Sequence, residues 1–189
     1  MKDASDLAAE LLIHLARLAQ SSGNHRLTPA QWTALRYFAR ANRLSRTPSA
    51  FSAFHATTRG TASQTVKSLE SMGLLRRRRN EGDGRSTLFD LTEEGEAALA
   101  DDPLQALSQR IAALPEADRG GFLGTMKTLV GDLARQQAAP EFGTCGDCAH
   151  FETVQGGVYC HCAAATLMAG ELDALCIEFR PRSGAGAVN

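Results

Sequence analysis

Apolar residues recur at helical spacing over the first twenty positions. Leu7, Leu11, Leu15 and Leu18 make one stripe, so residues 4–20 read as an amphipathic helix. "SSGNHRL" breaks the pattern. Thr28-Pro29-Ala30-Gln31 is a helix start: a capping threonine, a proline at the first helical position and a glutamine at the third. This helix carries Trp32, Leu35, Tyr37 and Phe38 to about Ala41. Thr47-Pro48 opens a short helix with Phe51 and Phe54 turned inward. "TASQTVKSLESMGLL" is a further helix ending at Gly73, with Ala62, Val66 and Leu69 inward and Ser63, Gln64 and Lys67 outward.

The period then changes. "LLRRRR" and "STLFDL" are short extended segments around "NEGDG", a hairpin loop. "LTEEGEAAL" restarts a helix with Thr92 as cap and Glu93 and Glu94 at the positive end of its dipole. Helical spacing continues to about Gln137 with a break at Leu114-Pro115. Leu104, Leu107, Ile111 and Leu114 form one stripe, and Phe122, Met126, Leu129 and Leu133 another. "QQAAPEFG" reads as a linker into a cysteine-rich end. No internal repeat is evident.

Composition adds little until charge is mapped. The 189 residues carry a net charge of −1, with 43% hydrophobic and 22% charged residues, ordinary for a globular chain. No apolar run reaches bilayer length, and the N-terminus lacks the apolar core of a signal peptide, so a cytoplasmic protein with no membrane association is expected. Between Arg26 and Leu91, however, twelve basic residues face four acidic ones, a local balance of +8. A region this positive suits a phosphate backbone. A solvated or edge-protecting strand would explain "RRRR" by itself. Because alternate strand residues face opposite ways, the four arginines cannot all meet one partner.

Three short helices followed by a hairpin is the winged helix-turn-helix order. "LTPAQWTALRYF", "TASQTVKSLESMGLL" and "EGDGRSTLFDLTEEGEAAL" resemble the MarR family of bacterial transcriptional regulators over roughly residues 26–100. The frame is Ser63, Leu69, Glu70, Gly73 and Leu74, then Asp83 and Arg85, then Leu91, Thr92 and Gly95. Gly84 departs from the commonly bulkier or basic residue there, and "SAFSAFHATTRG" is richer in aromatics than usual. The resemblance implies a mainly α protein with a small β-hairpin wing. It divides into an N-terminal dimerisation helix (1–25), the winged helix (26–100), C-terminal dimerisation helices (101–138) and a Cys-rich module with a tail (139–189).

On this reading the protein is no enzyme. It is a homodimer on a roughly palindromic double-stranded DNA operator, acting as a repressor. The helix from about Gly60 to Met72 lies in the major groove with its N-terminal half nearest the bases. Gln64 can read adenine bidentately, and Thr61 and Ser63 can reach bases or phosphates. Arg59 and Lys67 hold phosphates, Arg76 and Arg78 add positive charge on the strand, the resemblance sends Arg85 at the wing tip into the minor groove, and Asp83 orients it or braces the wing.

All five cysteines lie between Cys145 and Cys176. The spacing is C-x2-C for Cys145 and Cys148, then Cys160 and Cys162 flanking His161, then Cys176. Four thiolates suit tetrahedral Zn2+ and also an iron–sulfur cluster. Either Cys160 or Cys162 could complete the set. His150 and His161 read as neighbours, and Phe151, Tyr159 and Phe179 as the apolar cluster around the site. Metal-free alternatives are a redox-switch regulator or a CxxC thiol oxidoreductase, but the latter motif normally follows a strand in a βαβ unit. The module reads as a separable appendage, structural or sensory.

Overall fold

The computed structural model describes residues 3–21, 27–79, 87–154 and 157–182. The elements run α1 (Ala4–Ser21), α2 (Pro29–Arg40), α3 (Pro48–Phe54), α4 (Arg59–Ser71), β1 (Leu75–Arg79), β2 (Thr87–Leu91), α5 (Glu93–Leu99), α6 (Leu104–Ala112) and α7 (Glu116–Gln136). The cysteine region adds short strands β3 (Gly143–Thr144), β4 (Phe151–Val154), β5 (Gly157–Cys160), β6 (Ala165–Leu167) and β7 (Leu175–Cys176). The fold is mainly helical with small antiparallel sheets, a winged helix-turn-helix with attachments.

The helix starts are the ones the side chains specify. Thr28 accepts from the Gln31 N–H at 3.3 Å while Gln31 accepts from the Thr28 N–H at 2.7 Å, a reciprocal cap. Thr47, Thr58 and Thr92 accept from the third N–H of α3, α4 and α5. Helix α4 ends on Gly73 at φ 73°. The Leu74 N–H donates to the Leu69 carbonyl at 2.9 Å and that of Gly73 to Glu70 at 3.0 Å, which closes the last turn in a Schellman motif.

Gly95 explains why "GL" and "LT-x-x-G" occur together. A Cβ at Gly95 would lie 2.2 Å from the Leu74 carbonyl oxygen. Thr92 meanwhile donates its hydroxyl to the Gly73 carbonyl at 2.6 Å. Helix α5 is thereby locked against the end of α4, backbone on backbone.

The core joins Trp32, Leu35, Tyr37 and Phe38 of α2, Phe51 of α3, Ala62, Val66 and Leu69 of α4, and Leu75 and Phe89 of the hairpin. Phe54, expected to turn inward, is half exposed, yet it stacks on Tyr37 with ring centroids 5.0 Å apart. In the single chain α1, α6 and α7 bury no described residue. Leu7, Leu11, Leu15, Leu129 and Leu133 are all exposed.

Two expectations change. The segment read as a linker and appendage is docked on the winged helix. Phe142 meets Phe54 edge-on at 5.0 Å, and Leu175 and Ile177 pack on the same core. The Asn42 N–H donates to the Leu175 carbonyl at 2.8 Å, and the Ile177 N–H to Ser45 Oγ at 3.0 Å. Apolar residues at 142, 175 and 177 are too sparse to show a period, so the sequence hid this face. Secondly, the apolar centre of the module is Leu167, Phe151, Val158 and Phe179 with Cys145, Cys160 and Cys176. Tyr159 instead meets His161 edge-on, because it alternates to the other face of β5.

Candidate nucleic-acid interface and cysteine centre

Helix α4 shows two faces. Ala62, Val66 and Leu69 are buried, whereas Arg59, Thr61, Gln64 and Lys67 are exposed and Ser63 is half-buried. The inward face is held by the core and by Gln31, whose amide donates to Ser68 Oγ at 2.9 Å from the start of α2. The start of α4 is stiff: the Thr61 hydroxyl lies 2.9 Å from that of Thr58, and Thr65 bonds back to the Thr61 carbonyl at 3.0 Å. Arg59, Thr61, Gln64 and Lys67 thus form one polar surface on a rigid support.

In the hairpin, Arg77 pairs with Phe89, Arg78 with Leu88 and Arg76 with Asp90. Alternation separates the arginines. Arg77 lies on the α4 side, 3.3 Å from Glu70, with its guanidinium 5.8 Å from the Phe89 ring centroid. Arg76 and Arg78 lie on the opposite face. Arg78 pairs with Asp90 at 2.7 Å, and Arg46 reaches the same carboxylate at 3.0 Å. Burial alone would raise the Asp90 carboxyl, but the two guanidiniums outweigh it and hold it below its ordinary range. Asp90 is therefore the brace between hairpin and α2–α3 turn, held by Arg78 from within the hairpin and by Arg46 from the turn. Arg77 is the strand arginine nearest α4. Strand alternation could have found it, taken with the acidic Glu70 on the preceding helix. Asp83 and Arg85 lie outside the described residues.

The cysteine centre rests against the α2–α3 turn. β3 pairs with β7, setting Gly143 opposite Cys176, and a Cβ at Gly143 would stand 2.5 Å from the Phe179 ring. Cys145 to Asp147 form one tight 3-10 turn, closed by the Cys148 N–H on the Cys145 carbonyl at 3.2 Å. Cys145, Cys148 and Cys176 are buried, Cys160 is half-buried in the same apolar cluster, and Cys162 is exposed.

Its neighbour Cys176, then burial, push the Cys145 thiol up. Cys145 in turn lowers Cys176, against burial, and the Glu178 N–H, Asn42 and Ser45 lower it further. Backbone and side-chain N–H groups point at the sulfurs: Asn42 Nδ2 stands 3.8 Å from Cys145 and the Arg180 N 3.5 Å from Cys148. Such donors stabilise thiolate ligands. Among the described residues, no three His, Cys, Asp or Glu side chains already stand in a ligand constellation. His161 faces Glu152, away from the sulfurs.

In comparison with known proteins, residues 26–86 match the model described as "MarR family". That match spans α2, α3, α4 and β1, about a third of the chain. The fold extends beyond that match. The chain is similar to CouR from Rhodococcus jostii RHA1 bound to p-coumaroyl-CoA, with TM-score 0.58, 17% identity, and coverage of 68% of this chain and 92% of that one. It is also similar to a MarR transcriptional regulator from Methanosarcina mazei Go1, with TM-score 0.56, 18% identity, and coverage of 69% and 98%. The S. aureus MepR–DNA complex gives TM-score 0.52, 18% identity, and coverage of 70% and 99%. The search of curated proteins gave no match. Among the described residues, no helix is long and apolar enough to cross a membrane.

Proposed function

We propose that this protein is a homodimeric, operator-binding transcriptional repressor whose C-terminal module holds a metal on cysteine thiolates. The observation that carries the DNA reading is the exposed polar face of α4 beside the arginine-rich hairpin, in a segment of charge +8. Gln64 reads a base edge, while Arg59 and Lys67 hold phosphates. The MepR structure, in which a similar fold is complexed with DNA, supports this use. The exposed leucines of α1 and α7 supply the dimer contact. Two-fold symmetry then asks for a roughly palindromic site. Gel shifts with DNA from the protein's own locus test this. Gln64→Ala lowers the preference for operator over scrambled duplex, by about 1–3 kcal/mol if both base bonds are lost. Lys67→Ala weakens both duplexes alike. Variants that bind both duplexes like the parent across a salt titration would reject this placement.

The metal reading rests on the donor set. Cys145, Cys160 and Cys176 belong to one small apolar cluster, Cys148 closes the turn that Cys145 opens, and the sulfurs of Cys145 and Cys148 accept from Asn42 and the Arg180 N–H. Such a set suits one Zn2+ or one iron–sulfur cluster, and either would staple a module this short. Cys162, exposed on the turn after β5, is left outside. Metal and sulfide analysis of anaerobically purified protein distinguishes the two. Protein carrying neither would leave the buried Cys145 and Cys176 as a metal-free thiol switch.

A further inference from the structure

Among the described residues, two of the four buried polar residues lie in the turn between α2 and α3, and a third, Glu171, reaches that turn through Arg43. Asn42 is 4% exposed and Ser45 1%. Asn42 uses every polar atom it has. Its N–H donates to the Leu175 carbonyl at 2.8 Å, and Oδ1 accepts from the Leu44 and Ser45 N–H groups at 3.1 and 2.8 Å. Its Nδ2 points at Cys145 Sγ. Ser45 Oγ accepts from the Ile177 N–H at 3.0 Å, one residue beyond Cys176. The Ser45 carbonyl takes the Tyr37 hydroxyl at 2.7 Å and the Thr47 N–H at 2.8 Å. Thr47 is the cap of α3, and α3 packs on α4.

The opposite side of the module is tied to α7. Asp147, inside the Cys145–Cys148 turn, pairs with Lys127 at 3.2 Å, and Glu141 pairs with Arg135 at 3.2 Å. The module also holds the turn through Arg43, which reaches Glu171 and the Thr166 carbonyl. The cysteine centre therefore stands between the helix that feeds the DNA-facing element and the helix assigned to the dimer contact. A purely structural staple would need neither tether. Nor would it need one winged-helix side chain aimed at a sulfur and a second holding the backbone beside another.

We propose that Asn42 and Ser45 couple occupancy of the thiolate site to the position of α4, so that metal binding and operator binding strengthen each other. This rests on the metal reading above. Filling the site draws Cys145 and Cys176 together with their other ligands. Asn42 follows through its hydrogen bonds to Cys145 Sγ and to β7, and Ser45 through the Ile177 N–H beside Cys176. The α3 cap moves with Ser45, and α7 moves with Asp147. A two-state element biased at both ends is what coupling between two sites requires. Asn42 and Ser45 are positioning residues here; neither ligates metal nor touches DNA.

The test uses the full chain. Metal content is measured, and operator affinity is then read by fluorescence anisotropy for loaded protein and for protein stripped with a chelator. Stripping is expected to weaken operator binding at least tenfold. By reciprocity, operator DNA should tighten metal retention by the same factor. Asn42→Asp keeps an oxygen for the Leu44 and Ser45 N–H groups but removes the donor to Cys145. Ser45→Ala removes the hydroxyl beside Cys176. Variants that melt as the parent does and still load metal should show a stripped-to-loaded ratio within about twofold of one. Equal operator affinity of loaded and stripped parent protein overturns the coupling while leaving the metal site intact, as does a parental ratio in both variants. Protein that takes up no metal under any condition overturns the metal reading, and the coupling with it.

Discussion

Removing residues 140–189 strips the winged helix of a surface it is built to have covered. Phe142, Leu175 and Ile177 leave the core that Phe54 and the α2–α3 turn present. Each is half-buried, worth about half the value of a fully buried side chain, so about 1 kcal/mol apiece. The backbone bonds to Asn42 and Ser45 are lost as well, each with a net worth of about 1 kcal/mol. The partly exposed Arg43–Glu171 pair adds less than about 1 kcal/mol. Rehydration of the bared turn offsets some of this, which leaves a net loss of about 3–5 kcal/mol, against a total stability of about 5–15 kcal/mol for an ordinary domain. At a slope of about 2 kcal/mol per molar urea, the unfolding midpoint of the shortened chain falls by about 2 M. The comparison is made by circular dichroism at equal protein concentration, so that self-association weighs alike on both chains. A midpoint within about 0.3 M of the parent would show that the module is an appendage and the docking contacts carry nothing.

Two further perturbations have outcomes set by the geometry. Gly95→Ala drives a methyl into the Leu74 carbonyl, where both partners are backbone, and lowers stability by about 2–3 kcal/mol in a thermal melt, whereas Gly120→Ala on α7 meets open space and changes little. Leu11→Glu with Leu15→Glu places two charges on the exposed stripe of α1, and sedimentation at micromolar concentration shifts from dimer to monomer; an unchanged dimer would move the contact elsewhere.

The winged helix could be read from the chain because its signals are local. Threonine caps, the proline after Thr28 and after Thr47, and Gly73 each act within one turn of a helix, and the i, i+4, i+7 run of Ala62, Val66 and Leu69 marks a buried face without any partner. The division of labour among the arginines was half legible. Alternation says that Arg77 and Arg78 part ways, but the second guanidinium on Asp90 comes from Arg46, 44 residues before it in the chain. The docking of the module was hidden for the same reason. Asn42 and Ser45 look like ordinary turn residues, and their partners lie more than 100 positions further on. Cysteine spacing announced a cluster of sulfurs without saying that part of their hydrogen bonding comes from another domain.

The central claim is that the α4 surface reads DNA. The direct measurement is the affinity of the full chain for duplex from its own promoter and for scrambled duplex of equal length, over a salt series. The account predicts promoter binding at least about 1,000-fold tighter than scrambled binding at physiological salt, with both affinities falling steeply as salt rises. Equal affinity for the two duplexes, or no binding to either at low salt, would contradict it.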